Sequence, residues 1–367
     1  MNKNSVNYLK IFLFILLFIM MPAKIAKAED YTLKSGKTEK GSYNETDYNY
    51  YMIKPSKSGY LAITSKTSNG SALQIDICNA SKEVVASDIN IKNNTTVLHK
   101  AKKGSTYYLK IKGNQGSTYS ISYKVQTIET LVYAKKYNYT FTNTSFHNQD
   151  NAILLKCKAN RSGILHFMCN SNDKVIVKYL DSKKKVISMS SILEKNTLTG
   201  IGIQSKKIYY IKLWKPQDTN VGTTTISNMK YQIDEVALSN NTSKAKARSL
   251  SKDKYVNTLI PAGAAKSTWY KIKLNKKQKI SITVESHMLQ NNGKYIQLYI
   301  CNEKGKKLNK DAAIIDGEAS SKYKNKKYVM VYPRKKITTG ALPAGTYYIK
   351  VESKTKTSSG SYKIKWK

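Results

Sequence analysis

Apolar residues fall at every second position in Tyr107-Tyr108-Leu109-Lys110-Ile111-Lys112. The same beat returns in Ile208-Tyr209-Tyr210-Ile211-Lys212-Leu213-Trp214 and in Thr346-Tyr347-Tyr348-Ile349-Lys350-Val351. A period of two belongs to a strand with one face on a core and the other toward solvent. Residues 29–367 nowhere sustain the 3.6-residue pattern of a long amphipathic helix, so the pattern predicts an all-β fold. On this reading Tyr107, Leu109, Ile111 and their counterparts face a core. Tyr108-Lys110, Tyr210-Lys212 and Tyr348-Lys350 are left on the opposite face.

Self-comparison extends the likeness. Each Tyr-Tyr strand is followed by a polar turn and a closing strand: Tyr119-Ser120-Ile121-Ser122-Tyr123, Met229-Lys230-Tyr231-Gln232-Ile233 and Tyr362-Lys363-Ile364-Lys365-Trp366. Upstream, Leu73-Gln74-Ile75-Asp76-Ile77-Cys78-Asn79 matches Ile296-Gln297-Leu298-Tyr299-Ile300-Cys301-Asn302 and, more distantly, Val175-Ile176-Val177-Lys178-Tyr179-Leu180-Asp181. Asn79, Asp181 and Asn302 each open a lysine-rich turn. Earlier still, Ile53 to Ile63, Cys157 to Phe167 and Ile272 to Ile282 read as three hairpins. The expectation is three tandem β-sandwich, jelly-roll-like modules at 29–126, 127–236 and 237–367. Residues 1–28 combine Lys3 and Lys10, a short apolar run from Ile11 to Met21 and an Ala26-Lys27-Ala28 ending, which reads as a secretory signal peptide. That run is too short to span a bilayer as a helix, so the mature chain is expected to be exported without a transmembrane segment. With no lipidation cysteine and no hydrophobic tail at 363–367, any surface retention is expected to be non-covalent.

A family resemblance emerges from these residues. Leu342-Pro343-Ala344-Gly345-Thr346-Tyr347-Tyr348-Ile349-Lys350-Val351, closing in Gly360-Ser361-Tyr362-Lys363-Ile364, resembles the end of the bacterial pre-peptidase C-terminal domain. Asn241-Thr242-Ser243-Lys244-Ala245, followed by Leu250 and Trp269-Tyr270-Lys271-Ile272, is similar to that family's entry strand. The resemblance covers all of the third module, most of the first and, more loosely, the second. It implies a compact β-sandwich exported by bacteria, commonly appended to extracellular peptidases, related to collagen- or glycan-binding modules and without catalytic activity of its own. Here no peptidase domain accompanies it.

Catalytic chemistry finds little support. His99, His147, His166 and His287 do not recur between modules, and there is no H-E-x-x-H helix, G-x-S-x-G elbow, phosphate loop or dinucleotide turn. The chain is expected not to be an enzyme; a degenerate secreted hydrolase, or an accessory to one, is the least favoured reading. The family can hold calcium near its entry strand, but Asn44-Glu45-Thr46-Asp47-Tyr48 has only Lys266-Ser267-Thr268-Trp269 opposite it in the third module, so no metal or other cofactor is expected. Cys78 and Cys301 occupy equivalent positions in different modules and are poor partners. Cys157 and Cys169 could pair, but buried free thiols are favoured.

Charge is the remaining signal. The chain has 63 Lys+Arg against 23 Asp+Glu, and residues 237–367 hold 29 of the cations with only 7 of the acids. The densest run, Lys322-Tyr323-Lys324-Asn325-Lys326-Lys327-Tyr328 followed by Arg334-Lys335-Lys336, interleaves ammonium groups with rings, and Tyr348 and Lys350 are candidate contacts beside it. Such a surface attracts polyanions and stacks on sugars. The expected partners are anionic cell-wall polymers or acidic glycans of a Gram-positive-type bacterial surface, with nucleic acid bound only nonspecifically. The alternative is a host-matrix, collagen-type adhesin using Tyr108, Tyr210 and Trp214. The blander account is a lysine-rich surface that only keeps an exported protein soluble.

Overall fold

The computed structural model describes residues 29–367 apart from 44–47, 113–116, 128–129, 148, 194–196, 217–218, 264–265, 291–295, 310, 316–319, 325–326 and 354. The segment read as a signal peptide lies outside the described residues, as do Glu45 and Asp47. Among the described residues no helix is long and apolar enough to cross a membrane.

Strands account for nearly all regular structure. The first nine are β1 (Glu29–Thr32), β2 (Thr38–Ser42), β3 (Asn49–Ile53), β4 (Gly59–Thr67), β5 (Leu73–Cys78), β6 (Val84–Ile91), β7 (Thr96–Ala101), β8 (Tyr107–Lys112) and β9 (Thr118–Gln126). The next nine are β10 (Thr130–Leu131), β11 (Tyr137–Thr142), β12 (Ile153–Lys158), β13 (Gly163–Ser171), β14 (Val175–Leu180), β15 (Ser191–Leu193), β16 (Thr197–Ile203), β17 (Ile208–Trp214) and β18 (Thr223–Glu235). Then follow β19 (Arg248–Ser249), β20 (Val256–Ile260), β21 (Lys266–Leu274), β22 (Gln278–Gln290), β23 (Ile296–Cys301), β24 (Ala313–Ile315), β25 (Ser320–Lys324), β26 (Lys327–Val331), β27 (Arg334–Leu342), β28 (Gly345–Ser353) and β29 (Ser359–Trp366).

One strand order recurs three times. A five-stranded sheet runs β1-β3-β8-β5-β6, then β10-β12-β17-β14-β15, then β19-β21-β28-β23-β24. Facing it is a four-strand row: β2-β9-β4-β7, β11-β18-β13-β16 and β20-β29-β22-β27. This interleaving of two antiparallel sheets is the double Greek key of a jelly roll. In each set the opening strand adds to the edge in parallel. The third set carries an extra hairpin, β25 with β26.

The segments read as hairpins from Ile53, Cys157 and Ile272 are instead corners. β3 and β4 lie in opposite sheets, as do β12 and β13, and β21 and β22. Both strands of a corner alternate toward the same core, so their hydrophobic pattern matches that of a hairpin; only the pairing distinguishes them.

Three cores result. Ile53, Leu61, Ile75 and Leu109 are fully buried in the first, Leu155, Phe167, Tyr179 and Ile211 in the second, and Ile272, Ile282, Leu298 and Ile349 in the third. The inward tyrosine of each Tyr-Tyr pair also ties down the loop before it. Tyr107 and Tyr209 accept the backbone N–H of Lys102 (3.1 Å) and Gln204 (2.9 Å), and Tyr347 donates to the Pro343 carbonyl (3.1 Å).

The sets are joined through sheet edges. β11 pairs in parallel with β7, at Thr140 with Val97 and Phe141 with Leu98, so the first two four-strand rows form one eight-stranded sheet. Ala62 and Leu98 of the first set thereby enter the second core, and Tyr60 meets Phe141 edge-on at 5.9 Å. His99, buried in this seam, has Nδ1 2.9 Å from Thr142 Oγ1 and 3.1 Å from Ser145 Oγ. Burial pushes its pKa down to about 4, which keeps the ring neutral. The far edge, β16, meets the third set. The Gly202 carbonyl accepts from Ala262 N–H (2.9 Å) and its N–H donates to Ser359 Oγ (3.3 Å). A Cβ at Gly202 would stand 2.2 Å from the Ile260 carbonyl oxygen. Ile164, Val236 and Leu259 pack beside this contact.

Two outcomes follow. The unfolded chain protonates His99 near its ordinary value of 6.5 while the folded chain resists until about 4. Stability is therefore lost as pH falls through that window, by up to about 3 kcal/mol, and is flat below it. Denaturant titrations between pH 7 and 4 should show His99→Gln losing less than the parent over the same range. Gly202→Val should leave each sandwich folded but free the third from the second. Overpacking of this kind costs about 1–3 kcal/mol, so proteolysis in the 236–250 joint should accelerate roughly tenfold.

Candidate functional site

The outward face of each five-stranded sheet carries a recurring cluster. β8, β17 and β28 are the central strands of their sheets, and alternation turns Tyr108, Tyr210 and Tyr348 away from the cores. Their cross-strand neighbours are Cys78, Leu180 and Cys301 on one side and Met52, Lys156 and Lys271 on the other.

The turns after β5 and β14 bring a cation to each ring. Asn79 Oδ1 accepts the N–H groups of Ser81 and Glu83, both at 3.0 Å, and Asp181 Oδ1 accepts those of Lys183 and Lys185, both at 2.9 Å. These side-chain bonds hold Lys82 and Lys184 at the same left-handed position, φ 61° in both. Lys82 Nζ then lies 5.2 Å from the centroid of Tyr108 and 4.7 Å from that of Tyr50, and Lys184 Nζ lies 5.8 Å from that of Tyr210. In the third set the left-handed residue is Gly305, φ 84°, with no side chain to send. Lys244, from the 3-10 turn Lys244–Lys246 just before β19, takes its place. Its Nζ donates to the Glu303 carbonyl and sits 5.2 Å from the Tyr348 ring.

More cation–ring pairs surround these: Lys110 over Tyr48 at 3.9 Å, Lys178 over Trp214 at 5.6 Å, Lys307 over Tyr299 at 3.7 Å and Lys350 over Trp269 at 5.5 Å. Acids temper the field unevenly. Asp30 pairs with Lys82 at 2.8 Å and holds its ammonium form, raising its pKa. Buried Asp76 binds Lys112 at 2.7 Å; burial alone would push that lysine down, but the carboxylate wins and it moves up. Glu352 pairs with Lys350. Among the described residues Lys184 and Lys244 meet no carboxylate.

The described residues singled out from the sequence are distributed over three sheets. Lys322, Tyr323 and Lys324 lie on β25 and Lys327 and Tyr328 on β26, in register Tyr323 with Tyr328 and Lys324 with Lys327; Lys326 lies outside the described residues. Arg334, Lys335 and Lys336 open β27, in the four-strand row. Tyr348 and Lys350 belong to the facing sheet, on its outer side. Arg334 is engaged by Glu285 (3.0 Å) and donates to Tyr255 Oη (3.0 Å), while Lys335 donates to the Ile314 carbonyl. Lys336 is exposed. Trp214, expected among exposed contacts, is only 4% exposed. Lys82, Lys184 and Lys244 were missed. The first two had a signal, the third place after Asn79 and Asp181 in matching turns. Lys244 had none, because it reaches its ring from a different segment.

The histidines are held in separate places. His99 sits in the closed seam. His166 pairs with Asp234 at 2.9 Å, and His287 bonds Glu285 at 2.7 Å under the stacked ring of Tyr332. Burial outweighs Glu285 and lowers the His287 pKa, while Glu285, drawn down by His287 and Arg334 against its own burial, stays ionised. No group of three metal-ligating side chains occurs among the described residues. All four cysteines are buried free thiols. Cys157 and Cys169 face the second core from opposite sheets, and burial pushes Cys169 up to about 12 and Cys157 higher.

No family model and no curated protein matches the chain. Among solved structures, a triple jelly roll from the turret assembly of an archaeal virus is 11% identical, covering 90% of this chain and 88% of its own, at TM-score 0.23. Tripeptidyl peptidase 2 is 9% identical, covering 92% of this chain and 32% of its own, at TM-score 0.24. Likenesses this distant carry no argument about function.

Tyr108 and Tyr348 stand directly across the strand from the buried thiols Cys78 and Cys301, which gives their placement a chemical readout. The native protein should be inert to a thiol reagent and should titrate as four thiols when unfolded, since only accessible thiolate reacts. Tyr108→Ala or Tyr348→Ala should each expose a single thiol, Cys78 or Cys301, to native-state labelling.

Proposed function

We propose that the chain is an exported, non-catalytic bacterial binding protein of three tandem jelly-roll modules of the pre-peptidase C-terminal type. It associates non-covalently with anionic cell-surface polymers or acidic glycans. The observation that carries this reading is the recurrence of an ammonium over an outward tyrosine, Lys82 on Tyr108, Lys184 on Tyr210 and Lys244 on Tyr348, at one place in three strand sets. A lysine-rich surface kept only for solubility has no need to hold its cations over rings at matched positions. A phosphate or uronate can meet the ammonium while a sugar or other repeating unit lies against the ring. The basic run at 322–336 adds a long-range field to the third module.

The test is retention of residues 29–367 on a purified anionic cell-wall polymer across a salt series. The logarithm of affinity should fall linearly with the logarithm of salt. Changing Lys82, Lys184 and Lys244 together to Gln should lower that slope by about 2, roughly one each for Lys184 and Lys244, because Lys82 is already paired with Asp30. Changing the three tyrosines to Ala should weaken binding at every salt concentration with little change of slope. Affinity unaltered between low and high salt, or salt-resistant retention on collagen instead, would overturn the proposal.

A further inference from the structure

We infer a second, separate ligand site in the seam between the first two strand sets: a groove shaped and charged for one anionic amphiphile, an acyl chain bearing a carboxylate or phosphate head. The groove has a volume of about 750 Å3, in the range of small-molecule sites, which favour such interfaces between packed units. It lies where the first two sets meet, in the seam that the pairing of β11 with β7 makes. Tyr60, Ala101 and Tyr107 of the first set form one wall, and Ala152 and Leu154 of the second form the other. A separate small pocket of about 20 Å3 shares Tyr60, Thr127 and Leu154 with it and is lined also by Leu98, Phe141 and Ile153.

The walls are mostly carbon, and among the described residues the ionic groups lining the groove are cations. Lys100 and Lys102 stand at its lip, both exposed. Lys100 Nζ donates to the Asp150 carbonyl (3.0 Å) and Asn151 Oδ1 (3.2 Å). Both acceptors are uncharged oxygens, a backbone carbonyl and a side-chain amide, and they hold the Lys100 side chain in place. Ser58 and Thr127 add hydroxyls to the lining, but a sugar lying along Leu154, Ala152 and Ala101 would leave its own hydroxyls there without partners, at a cost that an alkyl chain avoids. A neutral chain would forgo the two lysines, and a cationic one would be repelled. The inference does not depend on the outward tyrosines.

The experiment is calorimetric titration of residues 29–367 with monomeric dodecanoate, alongside dodecyl maltoside, dodecyltrimethylammonium and a uronate oligosaccharide. We expect saturable one-to-one binding of dodecanoate, at least about tenfold weaker for the maltoside and absent for the cation. Ala152→Trp, which fills the groove from an incompletely buried position, should abolish that single site without altering the thermal transition. Lys100→Gln with Lys102→Gln should reduce dodecanoate affinity about tenfold and leave the maltoside unchanged. Many-site binding that ignores Ala152→Trp would mean that dodecanoate only coats a cationic surface, and would overturn the inference. Saturable binding of the oligosaccharide that Ala152→Trp abolishes, without dodecanoate binding, would overturn it in favour of a sugar site. Because these variants leave Tyr108, Tyr210 and Tyr348 untouched, polymer retention should persist whichever result is obtained.

Discussion

Everything recurrent in this molecule depends on the two-residue period of a strand buried on one side only. In each Tyr-Tyr-x-Lys segment the first tyrosine enters a core and anchors the preceding loop through its hydroxyl, so the second must emerge on the opposite face, followed two residues later by a lysine. A one-residue slip would bury Lys110, Lys212 and Lys350 in three separate cores and expose Leu109, Ile211 and Ile349. Register is thus fixed by the inner face, and the outer face inherits its geometry. The Asx turns extend that inheritance, because Asn79 and Asp181 are themselves placed by the ends of core strands.

Sheet edges impose the second constraint. A four-strand row has two open edges, each a template for unwanted pairing. The chain covers one with another: β7 receives β11, and β16 meets the third set where Gly202 lets two backbones approach. Among the described strands, β2, β20 and β27 also end their rows. β27 opens with Arg334, Lys335 and Lys336, and charge on an edge strand discourages strand addition. Part of the basic run that looked like a binding motif therefore has architectural work. Arg334 is committed to Glu285, and Lys335 to a carbonyl of β24.

These constraints explain what could be read from the chain. Alternation gave the strand faces, and matched segments gave the recurrence of Tyr108, Tyr210 and Tyr348, because both are local. The corners at Ile53, Cys157 and Ile272 were mistaken for hairpins because a strand pointing at a core looks the same from either sheet. Arg334 looked available because its partner Glu285 is 49 residues away. The seam was invisible, since β11 pairs with a strand of the preceding set through Phe141 and Leu98, two ordinary core residues. Lys244 was equally hidden: its role follows from Gly305, which has no side chain to offer, and nothing in either residue's own neighbourhood announces the exchange.

What holds a lysine decides whether its charge remains usable. With 63 basic residues and 23 acids, carboxylates can neutralise only a minority of the cations. An exposed ion pair contributes about 0–1 kcal/mol and a cation over an exposed ring about 0.5–1 kcal/mol, so the two restrain a side chain comparably. They differ in what they leave behind. Asp30 cancels most of the Lys82 field, whereas Tyr210 and Tyr348 orient Lys184 and Lys244 and leave a full positive charge facing solvent. The three faces are therefore alike in shape and unequal in potential, with the first weakest. For a polyanion bound as proposed, the second and third faces would be the stronger contacts.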